Sequence, residues 1–218
     1  MKKILFILLI CYLDADTPKN FVNLKEYIPS LKIDMRYYGS DNFVGKSISG
    51  YCTPKALLTI DAADALKKVQ KDLQKIGLGL KIFDAYRPQQ AVDDFVKWSF
   101  DLKKIESKKK YYPHINKKNL FQKGYIAKKS GHSRGSTLDL TIINLSNTSE
   151  LDMGTPFDFF GERSSFKCMN ITKEQQTNRM LLRSMMLKYD FQAYSKEWWH
   201  FTLKNEPYKY TYFNFLIQ

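Results

Sequence analysis

A single domain mixing helices and strands is the fold class this chain predicts, on three observations. Its 218 residues suit one domain with a substantial core, since single domains commonly run to about 200–250 residues. Apolar residues make up 44% and aromatic residues 15% of the chain, a globular rather than a disordered composition. Apolar residues also recur at two periods, every second position in some short stretches and every third or fourth in others. No internal repeat, low-complexity block or interdomain linker interrupts them.

Taken in order, the chain begins like a secretory leader. Lys2 and Lys3 precede an apolar run over residues 4–13, within the h-region range of about 7–15 residues and too short to span a bilayer. Ala15 is the only small residue near a cleavage point, and the large Ile10 before Cys11 speaks against lipidation. Residues 1–15 are therefore expected to be a signal peptide and the product an exported, periplasmic protein, with a cytoplasmic one as the alternative. Removal of the leader leaves Cys52 and Cys168, read as two unpaired buried thiols.

Residues 31–35 alternate like a half-buried strand, and the turn-rich, aromatic residues 37–45 form a loop able to reach a pocket. Asp61 is placed to cap a helix in which Leu66, Val69, Leu73 and Ile76 recur at helical spacing before Gly77 ends it. Residues 78–83 are short and apolar, the pattern of a core strand. Pro88 then opens a second helix that offers Ala91, Phe95, Val96 and Trp98 for packing. Residues 103–129 hold ten lysines and no arginine; they are expected as an exposed insertion with some helix, His114 lying on its surface. From residue 137 to 143, Leu138, Leu140 and Ile142 share one strand face and Asp139 and Thr141 the other. Residues 144–149 form a polar loop, and residues 151–160 an ordered loop that carries two acids. Thr172 with Gln175 forms a capping box before a helix whose Met180, Leu181, Met185 and Leu187 are core. A last strand spans residues 198–203, and the aromatic tail 208–215 packs back on the domain.

Lysine and arginine exceed aspartate and glutamate by 13 charges, so anionic surfaces are attracted. The first reading is a solvated lysine-rich surface; electrostatic association with an anionic cell-wall or membrane surface is compatible with it. Nucleic acid is not expected, because no arginine-rich or aromatic-interleaved stripe offers a base-reading face. Oligomeric state is not legible.

Chemistry concentrates in residues 130–139, Ser-Gly-His-Ser-Arg-Gly-Ser-Thr-Leu-Asp, where one imidazole (His132) and one carboxylate (Asp139) stand seven residues apart. The chain has only three histidines, and a second, His200, follows Glu197-Trp198-Trp199. Together His132, Asp139 and His200 offer three ligands of the kind that leaves a catalytic metal one position for water. Glu197 is then the natural general base. Residues three apart on a strand face opposite sides, so Glu197 must lie in the turn before the strand or at a bulge. Arg87, in Asp84-Ala85-Tyr86-Arg87-Pro88, is placed to meet an oxyanion or simply to pair with Asp84 at the surface. The other readings are a satisfied histidine beside an aspartate, a Ser-His-Asp triad using Ser130 or Ser133, and a cysteine nucleophile. The last two lack, respectively, a nucleophile-elbow context and a histidine near either thiol in sequence.

Ser130-Gly131-His132-Ser133-Arg134-Gly135-Ser136 with Asp139, Glu197-Trp198-Trp199-His200-Phe201 and Asp84-Ala85-Tyr86-Arg87-Pro88 together closely resemble the zinc D-alanyl-D-alanine dipeptidases of the VanX type. Residues 152–158 and the Asn42-Phe43-Val44-Gly45 loop look like that family too, so the likeness runs from about residue 20 to residue 203. The resemblance implies an α+β fold, a mainly antiparallel sheet with helices around it, shared with D,D-carboxypeptidases and the Hedgehog signalling domain. It implies one zinc per chain on His132, Asp139 and His200, Glu197 as catalytic base and Arg87 as transition-state stabiliser. It further implies that Asp158, Tyr37 and Ser130 hold a small D,D-dipeptide, Asp158 meeting its ammonium, within one catalytic domain over residues 16–218. Two other functions compete: a carboxypeptidase or endopeptidase on longer peptidoglycan stems, and a non-catalytic zinc-stabilised binding domain. A binding domain needs neither Glu197 nor Arg87.

Overall fold

Strands and helices alternate along residues 17–218, the part of the chain that the computed structural model describes. In order they are β1 (Phe21–Asn23), α1 (Leu24–Tyr27), β2 (Lys32–Ile33), β3 (Leu57–Thr59), α2 (Ile60–Gln74), β4 (Leu78–Asp84) and α3 (Gln89–Phe100). There follow α4 (Lys108–Tyr111), β5 (Thr137–Asn144), α5 (Lys173–Lys188), β6 (Phe191–Ala193) and β7 (His200–Leu203). The expected leader, Cys11 included, lies outside the described residues.

Five strands form one sheet in the order β2-β4-β5-β7-β6, and β1 pairs with β3 in a separate ribbon. Within the larger sheet only β2 and β4 run parallel. The sheet is thus mainly antiparallel with helices packed on it, the α+β class expected. Alternation along β5 is as read from the sequence, but both faces are covered: Leu138, Leu140 and Ile142 are buried, and so are Asp139 and Thr141. A carboxylate on a strand with no wet face must find cationic or donor partners, which locates the site before any chemistry is considered.

The helices form where their sequence signals place them, but Met180 and Leu187 of α5, expected in the core, are exposed, as is Ile76, which lies beyond the end of α2. In α5 the capping box is complete, with Gln175 N donating to Thr172 Oγ1 (3.2 Å) and Thr172 N donating to Gln175 Oε1 (2.9 Å). Thr59, not Asp61, stands at the N-cap of α2; Asp61 sits inside the first turn, where a carboxylate favours the helix dipole. Pro88 stands just before α3, with extended backbone, and not within its first turn. The aromatic tail does pack back: Tyr86 and Phe215 stack with ring centroids 4.1 Å apart, and Phe213 and Phe215 meet Phe21 edge-on at 5.3 and 5.2 Å.

Three expectations need correction. β2 is only two residues long, because the chain beyond Ile33 follows β4 irregularly, through Asp34 N to Ile82 O and Arg36 N to Phe83 O. The lysine-rich residues 103–129 are not simply an exposed insertion. Tyr111, Tyr112, Leu120 and Ile126 enter the core, and Lys117 is buried with Nζ donating to the carbonyls of Asp101 (2.8 Å) and Lys104 (2.7 Å). Apolar anchors there outweigh the charge count; His114 is exposed, as read. Among the described residues Cys52 and Cys168 are free, but neither is buried as expected: Cys52 is exposed and Cys168 partly so.

Two features generate tests. Gly135 has φ +82°, and a Cβ there would lie 2.3 Å from Phe21 ring carbons, so both backbone and packing demand glycine. Gly135→Ala is expected to cost about 1–3 kcal/mol, read as a lower urea midpoint; an unchanged midpoint would show that Phe21 yields freely. Asp72 joins α2 to the end of α5, accepting hydrogen bonds from Lys188 (2.6 Å), Lys75 (2.6 Å) and the Tyr189 hydroxyl. The Lys188 hydrogen bond, with those of Lys75 and Tyr189, holds its carboxyl below the usual range. A depressed folded pKa gives stability that is complete above the unfolded value of about 3.9 and is lost as pH falls through the folded one. Asp72→Asn should therefore lower the Tm at neutral pH, and the gap to wild type should close on acidification below about pH 4; a gap independent of pH would refute the ion-pair account.

Candidate active site

Strand register does the first part of the assembly. Asp139 on β5 pairs with Asp84 on β4 and with His200 on β7, so three side chains meet at one level of the sheet. His132 arrives from the short 3₁₀ helix Gly131–Arg134, whose first turn is capped by Ser130 Oγ accepting from His132 N (3.3 Å). Gly135, in the left-handed conformation, then turns the chain into β5.

The His132 ring is fixed by its Nδ1, 2.7 Å from Ala85 O. A carbonyl can only accept, so Nδ1 carries the proton and Nε2 presents its lone pair inward. His132 Nε2 lies 3.3 Å from Asp139 Oδ2 and 3.3 Å from His200 Nδ1, and His200 Nδ1 lies 3.0 Å from Asp139 Oδ1. Two donors bound at about 2.0–2.1 Å to a tetrahedral ion are themselves about 3.3 Å apart. The three groups therefore fit a single metal ion in donor type and in spacing, and they form a His-Asp-His cluster whose ligand atoms all fall within 4.8 Å.

Glu197 lies in the turn that enters β7, its carbonyl accepting from His200 N (3.4 Å). That turn removes the strand-parity difficulty, and Glu197 Oε2 comes to 3.7 Å from His200 Nδ1. Arg87 is no surface pair. Its Nε donates to Asp84 Oδ2 (2.9 Å), its Nη2 lies 2.8 Å from the same oxygen and 3.4 Å from Asp139 Oδ2, and Tyr37 and Phe95 flank the guanidinium at 5.0 and 5.1 Å. Asp84 is itself fully buried and accepts from the Tyr51 hydroxyl (2.7 Å). Asp158 sits at a left-handed loop position, φ +61°, with the Tyr37 hydroxyl 3.1 and 3.0 Å from its two oxygens.

Burial and neighbours set the charges. Burial alone would raise Asp139, but the His132 and His200 imidazoles outweigh it and hold its carboxyl well below the usual range. Burial pushes Glu197 up to about 7 despite the opposing pull of His200. Asp158 is raised well above the carboxylate range by burial and then by the Asp139 charge. Burial works against Arg87, yet Asp84 together with Tyr37, Tyr51 and Asp139 more than compensates, and its guanidinium stays charged. Asp158 and Glu197, with raised affinity for protons, beside Asp139 held ionised are the division of labour expected of an acid–base site.

All eight residues singled out from the sequence, Tyr37, Arg87, Ser130, His132, Asp139, Asp158, Glu197 and His200, line one cavity of about 310 Å³. Cys52, Cys168 and Ser133 are not among its lining residues; the cysteine nucleophile and a triad built on Ser133 thus have no place in it. Sequence reasoning offered the Arg87–Asp84 pair only as a surface alternative, and missed its burial and the support of Asp84 by Tyr51. Nothing local connects Tyr51 to either residue.

Residues 17–218 match the peptidase M15 family, described as D-Ala-D-Ala dipeptidase. The chain is similar to a D-alanyl-D-alanine dipeptidase of Enterococcus faecalis, 41% identical over 90% of this chain and 98% of that protein. It is also similar to those of Enterococcus faecium, 39% identical over 91% and 98%, and Streptomyces coelicolor, 37% identical over 91% and 98%. With the family matched over nearly the whole chain and relatives this close, the protein belongs to the peptidase M15 family of D-Ala-D-Ala dipeptidases.

Proposed function

We propose that this protein hydrolyses the free D-alanyl-D-alanine dipeptide with one zinc ion held by His132, Asp139 and His200. Bound there, zinc supplies Lewis acidity, which activates a water and polarises the scissile carbonyl. The chain's own residues do the rest. Glu197, with a proton affinity near neutrality, takes a proton from the attacking water and passes it to the leaving amine. Arg87, kept charged and immobile by Asp84, faces the oxyanion that develops at the attacked carbonyl. Asp158 waits with the Tyr37 hydroxyl against it; a substrate ammonium restores its charge and fixes the dipeptide's amino end. Ser130 accepts from His132 N, leaving its own O–H free to donate toward the substrate.

The observation that carries this reading is the shared cavity. Its volume of about 310 Å³ is at the small end for ligand sites. An ammonium partner at one wall and a general base beside the ligand cluster suit a substrate of two residues with free ends.

The test is turnover of D-Ala-D-Ala by the zinc-loaded protein, with Glu197→Gln alongside. The variant should retain its zinc while kcat falls by about 10²–10⁴; full activity in Glu197→Gln would remove the assigned base. N-acetyl-D-Ala-D-Ala should be a poor substrate, since it has no ammonium for Asp158. Asp158→Asn should raise KM for the free dipeptide by about 10–100-fold and narrow its advantage over the acetylated one. Equal rates on the two substrates in wild type would point instead to a carboxypeptidase acting on longer stems.

A further inference from the structure

Beyond the cavity lies a larger groove of about 700 Å³, and Tyr125 lines both. The partition between them is one layer thick. Along one loop Asp158 and Phe160 line the cavity while Phe159 and Gly161 line the groove. At the turn into β7, Glu197 lines the cavity and Lys196 the groove. Tyr125 fills the remaining gap, its ring 5.4 Å from that of Phe160.

The loop that carries the ring is tied down. Tyr125 N donates to Leu120 O (3.0 Å), and Lys196 Nζ donates to Lys123 O (2.6 Å), which ties the tyrosine's own loop to the turn carrying Glu197. The groove presents Lys123, Arg163 and Lys196 against one acid, Glu162. Asp158, the assigned partner of the substrate's amino end, belongs to the same partition. A peptide extended at that end would have to pass Tyr125.

We propose that Tyr125 is the specificity-determining wall that limits the substrate to two residues, and that the groove behind it suits an amino-terminal extension bearing a carboxylate. The proposal rests on the dipeptidase reading above. It assigns the length limit to one aromatic ring; the hydroxyl has no part in it.

The experiment measures kcat/KM for D-Ala-D-Ala, Gly-D-Ala-D-Ala and L-Glu-D-Ala-D-Ala with wild type, Tyr125→Ala, Tyr125→Leu and Tyr125→Phe. Zinc content and Tm establish that each variant is folded. Wild type should strongly favour the dipeptide. Tyr125→Ala should raise the tripeptide values by about tenfold or more, Tyr125→Leu by less, and Tyr125→Phe not at all. The gain should be larger for the glutamyl than for the glycyl peptide, and that difference should shrink with added salt. Unchanged substrate ratios in folded Tyr125→Ala overturn the wall; should that variant not fold, Tyr125→Leu decides in the same way. A gain in Tyr125→Phe overturns the steric account, and equal gains for the two tripeptides overturn the anionic groove. Wild type inactive on D-Ala-D-Ala sinks the dipeptidase reading itself, an outcome distinct from wild type active on the dipeptide with Tyr125 variants unaltered.

Discussion

A carboxylate with no water to face is the constraint around which this molecule is built. Asp139 lies in the middle strand of a five-stranded sheet covered on both sides, where an isolated charge would be untenable. It stays ionised because two imidazoles and the Arg87 guanidinium converge on its two oxygens. Each comes from a different place in the chain: a 3₁₀ turn, a neighbouring strand, and the turn after β4. Removing any one leaves the others facing an uncompensated charge, so the geometry of the site and the integrity of the sheet are the same problem.

Support continues outward in pairs. Asp84 neutralises Arg87 and is satisfied in turn by Tyr51, which reaches it from a loop far away in sequence. On the far wall, Asp158 is held by Tyr37, and the loop that bears it is pinned by Arg179. That buried guanidinium donates to the carbonyls of Met153 (2.6 Å), Ser165 (2.9 Å) and Arg163 (2.8 Å). An arginine spent wholly on backbone carbonyls fixes both ends of the loop, which is how a left-handed aspartate can be kept in one position. The aromatic layer of Tyr37, Phe43, Phe95 and Phe157 fills the space between these polar pairs. It lowers the local dielectric and makes each pairing stronger.

Among the described residues most lysines are exposed, while four carboxyl groups, Asp84, Asp139, Asp158 and Glu197, gather inside. Their proton affinities diverge because their partners differ. Imidazoles hold Asp139 low, whereas burial outweighs the pull of Arg87 at Asp84 and the cationic company of Asp158 and Glu197. The last two are the groups left to respond to a ligand.

Read as a string of residues, the chain already declared its strands and helices, since the capping box, the alternation along β5 and the helical spacing in α2 are local signals that local physics honours. The same holds for His132, Asp139, Glu197 and His200, because two short motifs carry two of its three imidazoles. Local pattern could not say that residues 103–129 bury a lysine and five hydrophobic side chains, or that Cys52 is exposed. Burial depends on what packs opposite, which no short window contains. Nor could it reveal the Tyr51–Asp84–Arg87 relay or Tyr125 standing between two cavities. Those arise where segments distant in sequence meet, and only the closing of the sheet and its loops brings them together.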